Sequence, residues 1–324
     1  MHKSIVSPRP QSHIHVPTAK SALSRDRGGG DPQSASDLAG EPRPILASLC
    51  LSIKDRERSS KPKRNERNHS WKYSHHHNNV KISPHHRLHA LAREFKSKGF
   101  RVFATARKTD SIADLAALGI ETLALEATSS ESIEALKAEI TSRTGGKLDY
   151  LVNNAGRSYT VPAVEVEMHE IEQTFAVNVF AVMRMCQAFA PLLIEARGTI
   201  VQIGSLAGEM PYVFASVYCA SKGALHQYTD TLRLELKPFG VRVVNVITGG
   251  VKSQIARTFR MLRDDSIYMP VQKDFERRLT HSQSLGMETE VYARRVVAQL
   301  TGWRRKETIW EGESNCGQLA GEVG

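Results

Sequence analysis

The pattern of hydrophobic and polar positions changes character near residue 84. Upstream, residues 1–80 carry GGGD, PRP, KPKRNER and HHHNN runs with no helical or strand period. Their one apolar island, Ile45-Leu46-Ala47-Ser48-Leu49-Cys50-Leu51-Ser52-Ile53, is too short to form a core of its own. Such a composition does not offset the entropy of ordering, so 1–80 is expected to be a disordered or mistranslated basic segment. Downstream, Leu88, Leu91, Ala92 and Phe95 line one side of a predicted helix over 85–98, ended by Gly99. A short apolar strand follows, FRVFATAR, and then a short helix over 110–118 closed by Gly119. A strand is predicted over 121–127, and a helix over 129–144 with Gly145-Gly146 at its end. LDYLVNNAG reads as a strand running into a turn. Helices over 168–196 and 216–238 then alternate with strands in 198–208 and 241–250, before a late helix at 291–300 and a last strand beginning at 308–310. Alternating apolar strands and amphipathic helices predict an α/β fold, a doubly wound, mostly parallel sheet covered on both faces. The expected folded body is 81–310, with 311–324 an irregular tail.

Charge and cysteine content narrow the function classes. Of the net +10, residues 1–80 contribute 14 Lys+Arg against 7 Asp+Glu, and the rest of the chain 30 against 27. The excess therefore lies outside the expected fold, where a basic tail binds polyanions without specificity and with a steep salt dependence. No motif for specific nucleic-acid recognition accompanies it. Cysteines at 50, 186, 219 and 316 lack metal or tight disulfide spacing, and the histidines at 75–77, 85, 86 and 89 lack a spaced partner, so no metal site is expected. No run reaches about 18 apolar residues, and the first residues lack a signal-peptide core.

Candidate chemistry concentrates at predicted strand ends, where ligands of such sheets bind. Tyr218 and Lys222 are four apart on one helix and share a face. A nearby ammonium favours the phenolate, and a tyrosine so tuned exchanges a proton with a substrate oxygen. Ser205, at the end of a strand, is placed to hydrogen-bond the same oxygen. Asn153-Asn154-Ala155-Gly156 closes another strand, and Gly156 permits close approach of a ligand. Asn178 lies inside the apolar run TFAVNVFAVM, where a polar amide needs a partner: it is either a satisfied core residue or a holder of a water in a proton path.

NNAG, Asn178, Ser205 and YCASK, in this order and spacing, resemble the short-chain dehydrogenase/reductase family. The stretch from FATARK through PYVFASVYCASKGALHQYTDTLRLELKPFGVRVVNVITGG is similar to its fungal NADPH-dependent 1-acyldihydroxyacetone-phosphate reductase branch. The resemblance, over about 88–310, implies a Rossmann-like fold and NADP-dependent conversion of a small-molecule carbonyl or alcohol, the carbonyl belonging to a lipid-like or secondary-metabolite substrate. Tyr218 would be the acid/base, Lys222 would lower its pKa and hold the nicotinamide ribose, Ser205 would polarise the carbonyl, and Asn178 would support the relay water. Asn153, Ala155, Gly156, Gly250, Val251 and Ser253 would line the cofactor, with Glu126 near the adenine. Arg107 matches a position that contacts the 2′-phosphate, and an arginine fork suits a phosphate monoester. Met210, Pro211, Tyr212 and Phe214, with Ile255, Ala256, Phe259 and Met261, are candidates for an apolar substrate pocket. The resemblance also implies a homo-oligomer built on the two long helices and a cytoplasmic protein, with membrane association, at a lipid-droplet or endoplasmic-reticulum surface, left open.

One departure stands out. The family opens with an apolar strand and a TGxxxGxG-type loop whose backbone approaches the cofactor pyrophosphate. Counting back from ALAREF places that loop near 80–88, but no glycine occurs between Gly40 and Gly99. The expectation is a sheet lacking or altering its first strand. A catalytically inactive protein that keeps the fold, and a gene-level misreading of an active reductase, are the competing accounts.

Overall fold

The computed structural model describes residues 43–48, 86–252, 260–284 and 286–313, all within the unit Pro42–Gly324. Seven strands form one parallel sheet: β1 (Pro44–Ser48), β2 (Arg101–Ala106), β3 (Glu121–Ala124), β4 (Tyr150–Asn153), β5 (Thr199–Ile203), β6 (Arg242–Thr248) and β7 (Thr308–Glu311). Their order is β3-β2-β1-β4-β5-β6-β7, so the direction of winding reverses between β1 and β4. That reversal leaves a crevice beyond the carboxyl ends of the central strands.

The first strand corrects the sequence reading. Pro44–Ser48, within the segment expected to lie outside the fold, is an internal strand of the sheet, between β2 and β4. Leu46 pairs with Phe103 on one side and Leu151 on the other, and Ser48 with Thr105 and Asn153. Without it β2 and β4 would both present unpaired backbone edges in the middle of the sheet. An internal parallel strand is apolar on both faces and has no alternation to reveal it. Here it is also only five residues long and embedded in charge. The rest of residues 1–80 lies outside the described residues, as does most of the tail. Part of that tail is ordered into the sheet, since Glu313 pairs with Gly250 beyond β7.

The helices form where the periodicity placed them. Helix α1 (His86–Ser97) buries Leu88, Leu91, Ala92 and Phe95 and is stopped at Gly99, which adopts φ +82. A short α2 (Ala113–Ala116) is followed by α3 (Ser130–Thr144), whose N-cap Ser129 accepts the Ser132 amide and whose C-cap Gly145 is left-handed. The predicted helix over 168–196 is interrupted. It runs as α4 (Met168–Phe175), a π-helical turn Ala176–Phe180, and α5 (Ala181–Ala196). Helix α6 (Ser216–Leu236) precedes β6, and α7 (Gln272–Ser284) and α8 (Thr289–Thr301) precede β7. One face of the sheet carries α1 and α8, joined through Leu88, Phe95, Tyr292, Val296 and Leu300. The other carries α3, α5 and α6, joined through Ile140, Phe189, Leu193 and Leu225. The run Met168–Ala196 is long and apolar enough to cross a membrane, yet Val182, Phe189 and Leu193 are spent on this core.

Candidate active site

The turn after β4 is held from three sides. Asn153 donates from Nδ2 to the Cys186 sulfur (3.6 Å), tying the strand end to α5. The Asn154 Oδ1 accepts from Arg87 Nε at 2.8 Å, tying it to the first turn of α1. Ala155 is buried and Gly156 partly exposed. The next residue, Arg157, is clamped by the fully buried Asn178: its amide donates to Asn178 Oδ1 (2.7 Å) and its carbonyl accepts from Asn178 Nδ2 (2.9 Å). The same Nδ2 donates to Ser221 Oγ (3.0 Å), whose hydroxyl donates to the Tyr218 carbonyl (2.8 Å). Asn178 is thus the satisfied polar residue of an apolar helix. Its π turn aims one amide at two elements, a local irregularity frequent at functional sites. It links the β4 turn to the turn of α6 that carries Tyr218.

Ser205 and Tyr218 come together, the Ser205 side chain pulling the Tyr218 pKa down against the effect of burial. Ser205 follows β5 and caps a short 3₁₀ turn, Leu206–Gly208, its Oγ accepting the Ala207 amide (3.2 Å). Its own amide donates to His226 Nε2 (3.2 Å), so the ring proton sits on Nδ1 and is donated to Glu209 Oε1 (2.8 Å). Burial lowers the His226 pKa, and the Glu209 carboxylate opposes that. Tyr218, Lys222 and His226 recur every four residues on α6 and face the sheet's carboxyl end together. Two glycines allow this packing. A methyl group on Gly204 would lie 2.5 Å from both Asn245 Oδ1 and His226 Nε2, and one on Gly208 would press on the His226 ring and lie 2.9 Å from the Lys222 carbonyl carbon.

The electrostatics differ from the expected tyrosine–lysine pair. Burial raises the Tyr218 pKa above 10, and the groups that pull it back are Ser205, Arg87 and Arg278. The Lys222 ammonium is turned to the Ile203 carbonyl (2.8 Å), and burial together with Arg87 lowers its pKa to about 7. The phenol therefore enters the neutral range protonated, as a proton donor.

The remaining predicted residues surround this centre. Arg107 follows β2 and faces Glu126 at 4.0 Å, while the other Glu126 oxygen accepts from the Thr128 amide (3.1 Å) and hydroxyl (2.7 Å). Glu126 is thereby committed to a turn and to orienting Arg107. Gly250 exchanges backbone bonds with Glu313 (2.8 and 3.1 Å), and Val251 pairs with Met287. Ser253 lies outside the described residues, as do Ile255, Ala256 and Phe259; Met261 is exposed. Phe214 packs edge-on against Tyr268 (5.8 Å) and Phe275 (5.4 Å), and Arg278 stacks over Tyr212 at 4.9 Å. Phe214, Tyr268 and Phe275 form an apolar wall, and Arg278, over the Tyr212 ring, acts on the Tyr218 hydroxyl.

His226, Glu209 and Arg278 are the contributors that sequence reasoning did not place in the site, and Arg87 figured there only as a charge able to attract a phosphate. His226 had a signal, four residues beyond Lys222 on the same face. Arg87 and Arg278 had none beyond charge. Among the described residues no cluster of His, Cys, Asp and Glu is arranged to hold a metal. The donor set instead fits a phosphorylated dinucleotide: cations at the winding reversal (Arg87, Lys222) and at the end of β2 (Arg107), with a serine–tyrosine pair at the reacting end.

A doubly wound parallel sheet with a Ser–Tyr–Lys set at its reversal is the scaffold of a nucleotide-dependent oxidoreductase. The chain belongs to the short-chain dehydrogenase family, whose model matches residues 89–263. A short-chain dehydrogenase of Penicillium crustosum is 45% identical over 213 residues, 65% of this chain and 79% of the relative. The NADPH-dependent 1-acyldihydroxyacetone phosphate reductase of Schizosaccharomyces pombe is 40% identical over 190 residues, 57% of this chain and 64% of the relative. Most of the similar fungal proteins are described only as short-chain dehydrogenases, so the match defines the family and not the reductase branch. A short-chain dehydrogenase structure from Streptomyces avermitilis shares the fold at a TM-score of 0.67 and 23% identity, covering 86% of this chain and 91% of that one. A Burkholderia cenocepacia short chain dehydrogenase crystallised with NADP gives 0.57 and 22%, covering 74% and 90%.

Proposed function

We propose that the chain is an NADPH-dependent reductase of a carbonyl on a lipid-like or secondary-metabolite substrate. The observation that carries this reading is the gathering of Ser205, Tyr218 and Lys222 beyond the end of β5, with burial holding the Tyr218 pKa above its ordinary value. Arg107 and Lys222 would help hold NADPH, which when bound would supply hydride for the carbonyl carbon. Tyr218 gives its proton to the carbonyl oxygen as charge develops there, and Ser205 donates a second hydrogen bond to the same oxygen. His226, held by Glu209, fixes the Ser205 backbone; Asn178 fixes the turn that faces the cofactor. Arg107, oriented by Glu126, favours the 2′-phosphate of NADPH over the bare ribose of NADH.

The Phe214–Tyr268–Phe275 wall supports an apolar substrate. So does the similarity to the S. pombe 1-acyldihydroxyacetone phosphate reductase, and with this reading goes a proposed location in the cytoplasm or at a lipid surface. Exposed Phe180 and Leu234, on the two long helical runs, support a homo-oligomer built on those helices. A second reading, a protein that keeps the fold without turnover, is favoured by the glycine-free stretch between β1 and α1. Steady-state NADPH oxidation with a panel of long-chain and aromatic ketones separates the two: turnover with NADPH preferred to NADH supports the reductase, and none with any carbonyl supports the second reading.

A further inference from the structure

We propose that Arg87 and Lys222 form a cationic subsite for the diphosphate of a dinucleotide, standing in for the backbone amides of a glycine loop. The inference rests on the reading of the site as a dinucleotide site. Three observations carry it. First, no glycine lies between Gly40 and Gly99, so the whole passage from β1 to α1 lacks the residue that lets backbone amides close on a pyrophosphate. Second, Arg87 stands in the first turn of α1, and its bond to Asn154 fixes it over the carboxyl end of β4, beside the reversal of winding. Its Nε is used there, while Nη1 and Nη2 carry no hydrogen bond among the described residues, which leaves a planar pair of donors suited to phosphate oxygens. Third, the Lys222 ammonium is held on the Ile203 carbonyl at the end of β5, the strand next to the β4 end on which Arg87 is held, and among the described residues neither cation has a carboxylate partner.

Lys222 is buried and Arg87 half-buried, with no counter-ion among the described residues, and this carries a cost: burial first, and then the Arg87 charge, depress the Lys222 pKa. A diphosphate placed against them removes that cost and gains charge-assisted hydrogen bonds. Among the described residues the other charges nearby do not supply a counter-ion: Arg278 acts on Tyr218 with the same sign, and Glu209 is committed to His226.

The test is calorimetry on the full chain with inorganic pyrophosphate and, separately, NADPH, for wild type, Arg87→Ala and Arg87→Lys, each checked for a native unfolding transition. The expected result is that Arg87→Ala weakens both ligands about 10- to 100-fold, the loss of one or two charge-assisted contacts, and that Arg87→Lys restores part of it. Equal or tighter binding of both ligands by Arg87→Ala overturns the subsite, tighter binding meaning that the guanidinium blocks it. If wild type binds NADPH and Arg87→Ala binds it equally well, the reductase reading stands and the subsite falls. If pyrophosphate binding depends on Arg87 but wild type does not bind NADPH, the subsite stands and the reductase reading falls. Binding of neither ligand by wild type overturns both.

Discussion

Asn178→Ala tests how the fold is coupled to the site. The side chain is fully buried and makes three hydrogen bonds, to the Arg157 amide, the Arg157 carbonyl and Ser221 Oγ. Their net contributions differ. Arg157 is only partly buried, so water reaches its freed amide and carbonyl in part, at about 1 kcal/mol each. Ser221 keeps its own donor bond to the Tyr218 carbonyl and loses only an acceptor contact, about 0.5 kcal/mol. A small cavity adds about 1 kcal/mol, which brings the loss to about 3–4 kcal/mol. Urea unfolding followed by circular dichroism should show a lower midpoint with an unchanged slope. The Ser221→Ala exchange alone should cost about 0.5–1.5 kcal/mol, and the double variant should cost less than the two singles added, because they share a bond. A loss under about 1 kcal/mol for Asn178→Ala, or strict additivity in the cycle, would refute the assignment of Asn178 as the clamp between the β4 turn and α6.

Lys222 makes stability depend on pH. Its folded-state pKa, about 7, lies below its ordinary 10.5, so between those values the unfolded chain holds a proton that the folded chain lacks, and stability rises with pH through that window. From pH 7 to 9 wild type should gain about 2–3 kcal/mol relative to Lys222→Met in urea unfolding; parallel pH profiles would contradict the buried, Arg87-facing placement. Gly208→Ala should destabilise by about 1–3 kcal/mol, because the added methyl meets the His226 ring and the Lys222 backbone. Its control, Gly223→Ala, has its nearest neighbour at 3.7 Å inside a helix and should be neutral or stabilising by up to about 1 kcal/mol, which thermal melts would show. Glu209→Gln leaves the amide able to accept the His226 proton but removes the charge, so the His226 pKa, read by NMR, should fall further; an unchanged value would show that the carboxylate does not act on the ring.

Much of this architecture is legible in the residues themselves. Helix α1 is written in the spacing of Leu88, Leu91, Ala92 and Phe95, and its end in Gly99. The sharing of one helix face by Tyr218 and Lys222 follows from their four-residue separation. Asn178 announced a partner by being polar in an apolar run, although the π turn that lets it reach both Arg157 and Ser221 left no signature, since α and π hydrogen bonding demand the same residue types. Strand β1 was illegible for a different reason. A five-residue strand inside a parallel sheet has no period to reveal it, and its membership in the sheet is decided by β2 and β4, which lie far along the chain. The direction in which Lys222 points was also beyond the sequence, because its partner, the Ile203 carbonyl, is brought to it by the packing of α6 against the end of β5. Arg87 belongs to a segment whose spacing the family pattern does not anticipate.

The central claim, that Tyr218 protonates a carbonyl oxygen while NADPH is oxidised, is tested most directly by single-turnover kinetics on wild type and Tyr218→Phe. The measurement follows NADPH absorbance with a reducible ketone, after calorimetry has shown that both proteins bind NADPH equally. The account predicts that the variant binds NADPH as wild type does and loses about 10²- to 10⁴-fold in the rate of reduction. Equal rates in the two proteins, or a wild type that binds NADPH and never oxidises it with any carbonyl, would contradict it.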